Sequence, residues 1–67
     1  MTIIKALQLC KDGGHNVRPV CWRTTTARHW VEYRFGHFVE HGKREEIPHT
    51  LRLSTPEEFL GEWEVYP

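Results

Sequence analysis

Along this chain the spacing of apolar positions changes several times, and each change predicts an element. In "TIIKALQLCKDGG", Ile3, Ala6, Leu7 and Cys10 recur every three or four residues, with Ile4 and Leu9 widening the stripe. That periodicity predicts an amphipathic helix. Thr2 is its expected N-cap, and Gly13 or Gly14 supplies the left-handed residue that ends it. "NVRPVCWR" reads as a short strand whose apolar content is Val17, Val20, Cys21 and Trp22. Pro19 has no N–H for a ladder, which places that strand on an edge or bulges it. "TTTAR" follows as a connection.

The plainest alternation is "HWVEYRFGHFVEH". By the period of two, His29, Val31, Tyr33 and Phe35 share one face, and Trp30, Glu32 and Arg34 the other. Gly36 interrupts the run and Phe38 with Val39 resumes it, which predicts a tight hairpin or a bend. "GKREEIP" is a charged turn, and "HTLRL" a third β run with Leu51 and Leu53 inward. "STPEEFLGEW" then carries a helix start, with Thr55 at the N-cap, Pro56 at the first helical position and Glu58 closing a capping box. Leu53 is placed to staple onto Phe59 or Leu60, and Gly61 ends the helix after about one turn. "WEVYP" is the last strand. The order predicts an α+β fold in one domain over residues 1–67: an N-terminal helix packed on a small twisted antiparallel sheet or partly open barrel, with a helical turn before the C-terminal strand. A final strand that returns beside the first removes a free edge.

Composition narrows the classes. At 67 residues the chain has room for one modest core, so oligomerisation is a ready way to bury more surface. A hydrophobic fraction of 39% excludes a disordered chain. No apolar run approaches the roughly 18 residues of a membrane span, and no leader pattern opens the chain, so a cytoplasmic protein with no membrane partner is expected. Nine basic and nine acidic residues cancel, and without a basic excess polymeric nucleic acid is not expected as a partner. A small anionic ligand held by one or two arginines stays open. Cys10 and Cys21 fit neither a disulfide framework nor a paired zinc spacing and are expected to be buried thiols.

Catalytic chemistry has little to stand on. His37 and His41 are four apart, but along a strand that is roughly 13 Å at about 3.3 Å per residue, too far to share one ion. There is no glycine-rich phosphate loop, and the single serine, Ser54, belongs to the turn before the second helix. No catalytic residue, metal site or cofactor is expected. Glu57, Glu58, Glu62 and Glu64 read as capping and solvated strand charges. The tryptophans say more. Trp22 and Trp63 close strands at one end of the sheet, and one or both belong to the core. Trp30 is out of phase with its apolar neighbours and shares its face with Arg34. That pairing points to a contact surface for a subunit or a stacked base, or to a sheet buried on both sides.

Two stretches, "ALQLCKDGGHNVRPVCW" and "PEEFLGEWEVYP", together 29 of the 67 residues, resemble the opening and closing motifs of the Thoeris anti-defence family of the sponge type, a small phage-encoded domain. Leu60 stands where the closing motif usually has alanine, and Glu62 where it usually has aspartate. The resemblance implies a helix, an antiparallel sheet and a C-terminal strand. It also implies a homo-oligomer that sequesters a cyclic-nucleotide-type immune signal at subunit interfaces without degrading it. The motif positions that carry over are Arg18, Trp22, Glu62 and Trp63. With Trp30 and Arg34 added, the expected ligand-binding set is Arg18, Trp22, Trp30, Arg34 and Trp63, Arg18 facing phosphate and a tryptophan stacking on the base. The alternative is a protein-interaction inhibitor of the anti-CRISPR or host-takeover type, docking on a host protein with Trp30 as anchor.

Overall fold

A computed structural model describes residues 1–24, 29–42 and 49–66. Helix α1 spans Ile3–Gly13 and is capped as its sequence requires. The Thr2 hydroxyl accepts the Lys5 amide at 3.2 Å, and Gly14 sits at φ 70° with its amide donating to the Leu9 carbonyl. Ala6 and Cys10 form the buried line of the helix, and the Cys10 thiol donates to the Val31 carbonyl at 3.6 Å. Ile4, expected to widen the stripe, is 69% exposed.

Five antiparallel strands follow: β1 (Val17–Pro19), β2 (Trp30–Arg34), β3 (His37–His41), β4 (His49–Thr50) and β5 (Trp63–Val65), in the spatial order β4-β3-β2-β1-β5. β5 does return beside β1, with Val17 opposite Val65, Arg18 opposite Glu64 and Pro19 opposite Trp63. Among the described residues the sheet is open, with β4 and β5 as its opposite edges. Helix α2 (Pro56–Leu60) starts on the expected capping box, with the Glu58 carboxylate accepting the Thr55 amide at 2.9 Å. The core is one cluster of Ala6, Cys10, Val17, Trp22, Val31 and Trp63, with Leu7, Tyr33, Phe38, Leu51 and Leu53 packed against it. The fold is α+β.

Several local expectations fail for identifiable reasons. β1 is an interior strand, not an edge. Pro19 is tolerated there because it is the last residue, and Val20 turns into a 3₁₀ helix over Val20–Thr24 that carries Trp22 out of the strand and into the core. Phe35 leaves the Val31 and Tyr33 face because the hairpin turn takes it. Phe35 at φ 51° and Gly36 at φ 82° are the two central residues of the turn, both with the positive φ that a type I′ turn requires. The β run at "HTLRL" shrinks to His49–Thr50, although Leu51 and Leu53 still pack inward. Leu60 is 87% exposed and Phe59 is also exposed, so Leu53 packs on the core and not on a staple. Cys21 is half-buried rather than buried, and no disulfide joins it to Cys10. Residues 25–28 of the connection and 43–48 of the charged turn lie outside the described residues.

Candidate functional site

Register, more than sequence proximity, assembles the surface that stands out. Val17 pairs with Val31 and faces the helix, so the alternate positions on each strand face the other way. Arg18 lies opposite Glu64, Trp30 opposite His41, Glu32 opposite Val39, and Arg34 opposite His37. These residues, with Tyr66 just beyond β5, make up the outer face of the sheet. Both helices pack on the inner side, and among the described residues no helix lies over the outer face.

Its centre is an aromatic row. Trp30 stacks with the His41 ring at a centroid separation of 4.8 Å and 8° between planes, and with Tyr66 at 5.0 Å and 18°. The Arg18 guanidinium sits over the Tyr66 ring, 5.0 Å from its centroid. Offset stacking and a cation over an aromatic face each add to what burial alone contributes. Trp30 is therefore half-buried by its own neighbours on a face that no helix covers.

Charges frame the row in two groups. Glu64 is the centre of the first: it accepts from Arg18 Nε at 2.8 Å and from Arg23 Nε at 2.8 Å, and Arg23 adds a second bond from its terminal nitrogen. In the second group, Glu32 meets the His41 Nε2 at 2.8 Å and the Arg34 terminal nitrogen at 3.2 Å. Arg23, and after it Arg18, hold the Glu64 carboxyl at about 2, well below its ordinary value of 4.5. A depressed carboxylate contributes stability that is fully present above its unfolded value and is lost as the pH falls through its folded one. Acid titration of the melting temperature is therefore expected to fall between pH 4.5 and about 2, and Glu64→Gln is expected to flatten that part of the curve. An unchanged acid profile in the variant would contradict the assignment.

The five expected ligand residues divide between the two faces. Arg18, Trp30 and Arg34 lie together on the outer face. Trp22 and Trp63 are buried in the core, with ring centroids 6.4 Å apart. Trp22 stacks on His29 at 3.7 Å and 5°, and its indole nitrogen donates to Glu58 Oε2 at 2.7 Å. The Trp63 indole nitrogen donates to the Glu58 carbonyl at 2.8 Å. Both indoles are committed to packing, and a ligand reaches neither without opening the core. Glu62, the remaining motif position, is exposed and pairs with the Met1 amino group.

Reading the sequence did not single out His41, Tyr66 or Glu64 for this surface. Alternation could have placed His41 with Trp30, whereas Tyr66 arrives only through the β1–β5 register. Glu58, read from the sequence as a capping charge, is also buried, and so is Glu40, which meets His29 Nε2 at 2.8 Å. His37 and His41 share the outer face, and among the described residues no three His, Cys, Asp or Glu side chains gather to hold a metal ion. No described helix is long and apolar enough to cross a membrane. No protein-family model matches this chain, and neither a curated protein nor a solved structure does.

Proposed function

We propose that this chain is a non-enzymatic binding protein that works through the outer face of its sheet. The observation that carries the reading is the Tyr66–Trp30–His41 row with Arg18 over one end, on a face that no described helix covers. Aromatic and arginine side chains gathered on an open face are the composition of a recognition surface. The terminal motifs supply the occupant. By their resemblance it is a cyclic-nucleotide-type immune signal, its base stacked along the aromatic row and its phosphate met by Arg18 or Arg34. The protein then acts as a phage- or prophage-encoded homo-oligomer in the bacterial cytoplasm, countering host defence by sequestering the signal without degrading it.

One observation favours a second reading, docking on a host protein with Trp30 as anchor. Each arginine of the face is already paired inside the chain, Arg18 and Arg23 with Glu64 and Arg34 with Glu32. A phosphate must displace a carboxylate there, whereas a protein partner can meet a charge-balanced surface as it stands. Calorimetry with a panel of cyclic nucleotides separates the two. Submicromolar binding that disappears in Trp30→Ala, with the far-UV spectrum retained, is the result expected of the sponge. No heat with any member of the panel sinks it. A stoichiometric host protein retained by the wild type and released by Trp30→Ala would establish the second reading instead.

A further inference from the structure

Helix α2 is little more than one turn, yet the fold holds it at several points. The Glu58 carboxylate accepts the Ser54 and Thr55 amides and the Trp22 indole N–H, and the Glu58 carbonyl accepts the Trp63 indole N–H. The Gly61 amide closes the turn on the Glu57 carbonyl at 2.9 Å. A side chain at Gly61 would collide with that carbonyl, so the exit from the turn is fixed as well. On this anchored turn the consecutive residues Phe59 and Leu60 are 49% and 87% exposed. Neither staples onto Leu53, which packs on the core, so Leu60 buries almost nothing within its own chain. Single exposed apolar residues are ordinary on a protein surface. An adjacent pair held in place and bordered by charge has the character of a preorganised docking point.

The surrounding charge decides the kind of partner. All nine lysines and arginines lie before Leu53, while four of the nine acids lie between Glu57 and Glu64, so residues 54–67 carry a net charge of −4. Glu64 is answered by Arg18 and Arg23 on the outer face, and Glu58 is buried. Glu57 and Glu62 stay at the surface, before and after the apolar pair in sequence. The Glu62 side chain is 70% exposed even where it meets the Met1 amino group. We propose that this turn is the docking point for a basic amphipathic segment of another protein. The apolar side chains of that segment cover Phe59 and Leu60, and its lysines or arginines meet Glu57 and Glu62. The same charge disfavours other occupants. Two copies joined through this turn would set its acids against their own counterparts. An anionic membrane or a polymeric nucleic acid would be repelled. Both helices lie on the inner side of the sheet, so the proposal stands apart from the Trp30 row.

An amide NMR titration of the whole chain tests it. The probe is a synthetic amphipathic lysine–leucine peptide of about 15 residues, long enough to form a helix. Glutamate–leucine and lysine–serine peptides of the same pattern are the controls. The amides of Phe59, Leu60 and Gly61 are expected to shift with the probe at micromolar concentrations and with neither control. Leu60→Ser, at an exposed position, is expected to keep the melting temperature and to weaken binding at least about tenfold. Added salt is expected to weaken binding too, because the acids are at the surface. Trp30→Ala is expected to bind as the wild type does. No shift, equal binding of the glutamate peptide, shifts centred on Trp30, or unchanged binding by Leu60→Ser would each overturn the proposal. Shifts at Phe59 and Leu60 on dilution without peptide would overturn it in favour of a second copy. Shifts on adding neutral phosphatidylcholine vesicles would overturn it in favour of a membrane.

Discussion

Trp63→Ala is expected to leave the protein unfolded at 25 °C. The ring is 1% exposed and is the largest fully buried side chain among the described residues. It lies on β5 opposite Pro19, against Trp22, and its indole nitrogen satisfies the Glu58 carbonyl at 2.8 Å. The backbone of the same residue donates to the Met1 carbonyl at 2.8 Å, so the chain before α1, strand β5 and helix α2 all meet at this one position. Truncating a buried tryptophan to alanine costs about 3–5 kcal/mol. A domain of this size holds only about 3–10 kcal/mol at 0.05–0.15 kcal/mol per residue, and small single cores sit at the low end of that range. The substitution therefore removes most or all of the margin. Trp63→Phe is expected to remain folded with a lower melting temperature, since it keeps most of the packing and loses the indole bond, about 1–3 kcal/mol. Circular dichroism melts check both. A cooperative Trp63→Ala transition within a few degrees of the wild type would refute the central place given to this ring.

What was legible in advance follows the range of the interactions involved. The caps of α1, the capping box of α2 and the hairpin at Gly36 are written in short stretches. Each depends on one residue type at one position: Thr2 and Gly14 at the two ends of α1, Pro56 and Glu58 in the first turn of α2. The errors came where two local rules competed. Strand alternation assigned Phe35 to the inner face, but a two-residue turn takes its residues out of the alternation altogether. Pro19 argued for an edge strand or a bulge, but it ends the interior strand β1, whose pairing with β2 is confined to Val17 opposite Val31. The candidate site was half visible. Trp30 and Arg34 announced themselves by being out of phase, and Arg18 was placed by the motif it belongs to. Tyr66, Glu64 and Arg23 join them through pairing between segments more than forty residues apart in sequence, as in the Arg18–Glu64 bond across 46 residues. No local pattern encodes such a register. Trp22 was legible as apolar, but its partner was not, because a glutamate beside a helix start reads as a cap and not as a buried acceptor.

That buried acceptor is the second place where one substitution should decide whether the chain folds. Glu58 is 8% exposed and uses both carboxylate oxygens. Oε2 takes the Trp22 indole N–H at 2.7 Å, while Oε1 takes the Ser54 amide at 2.8 Å and the Thr55 amide at 2.9 Å. Burial pushes the carboxyl up, but the bonds from Ser54, Trp22 and Thr55 outweigh it, and the net direction is down. The charged form is therefore the one the fold holds, and its contribution is lost as the pH falls through the depressed folded value. Glu58→Ala removes the cap of α2 and leaves the indole N–H of a buried tryptophan without its acceptor, an expected loss of about 2–4 kcal/mol. Glu58→Gln keeps the shape but has one acceptor oxygen where the carboxylate has two. Its NH₂ must then face either the indole or the two amides, for an expected loss of about 1–2 kcal/mol. Urea denaturation at neutral pH is expected to rank the wild type above Glu58→Gln and Glu58→Ala last. The wild type is expected to lose more of its stability than Glu58→Gln on moving to acid, because only the carboxylate takes up a proton there. A glutamine variant as stable as the wild type would show that the charge at this position is incidental and that the Trp22 bond needs only a neutral acceptor.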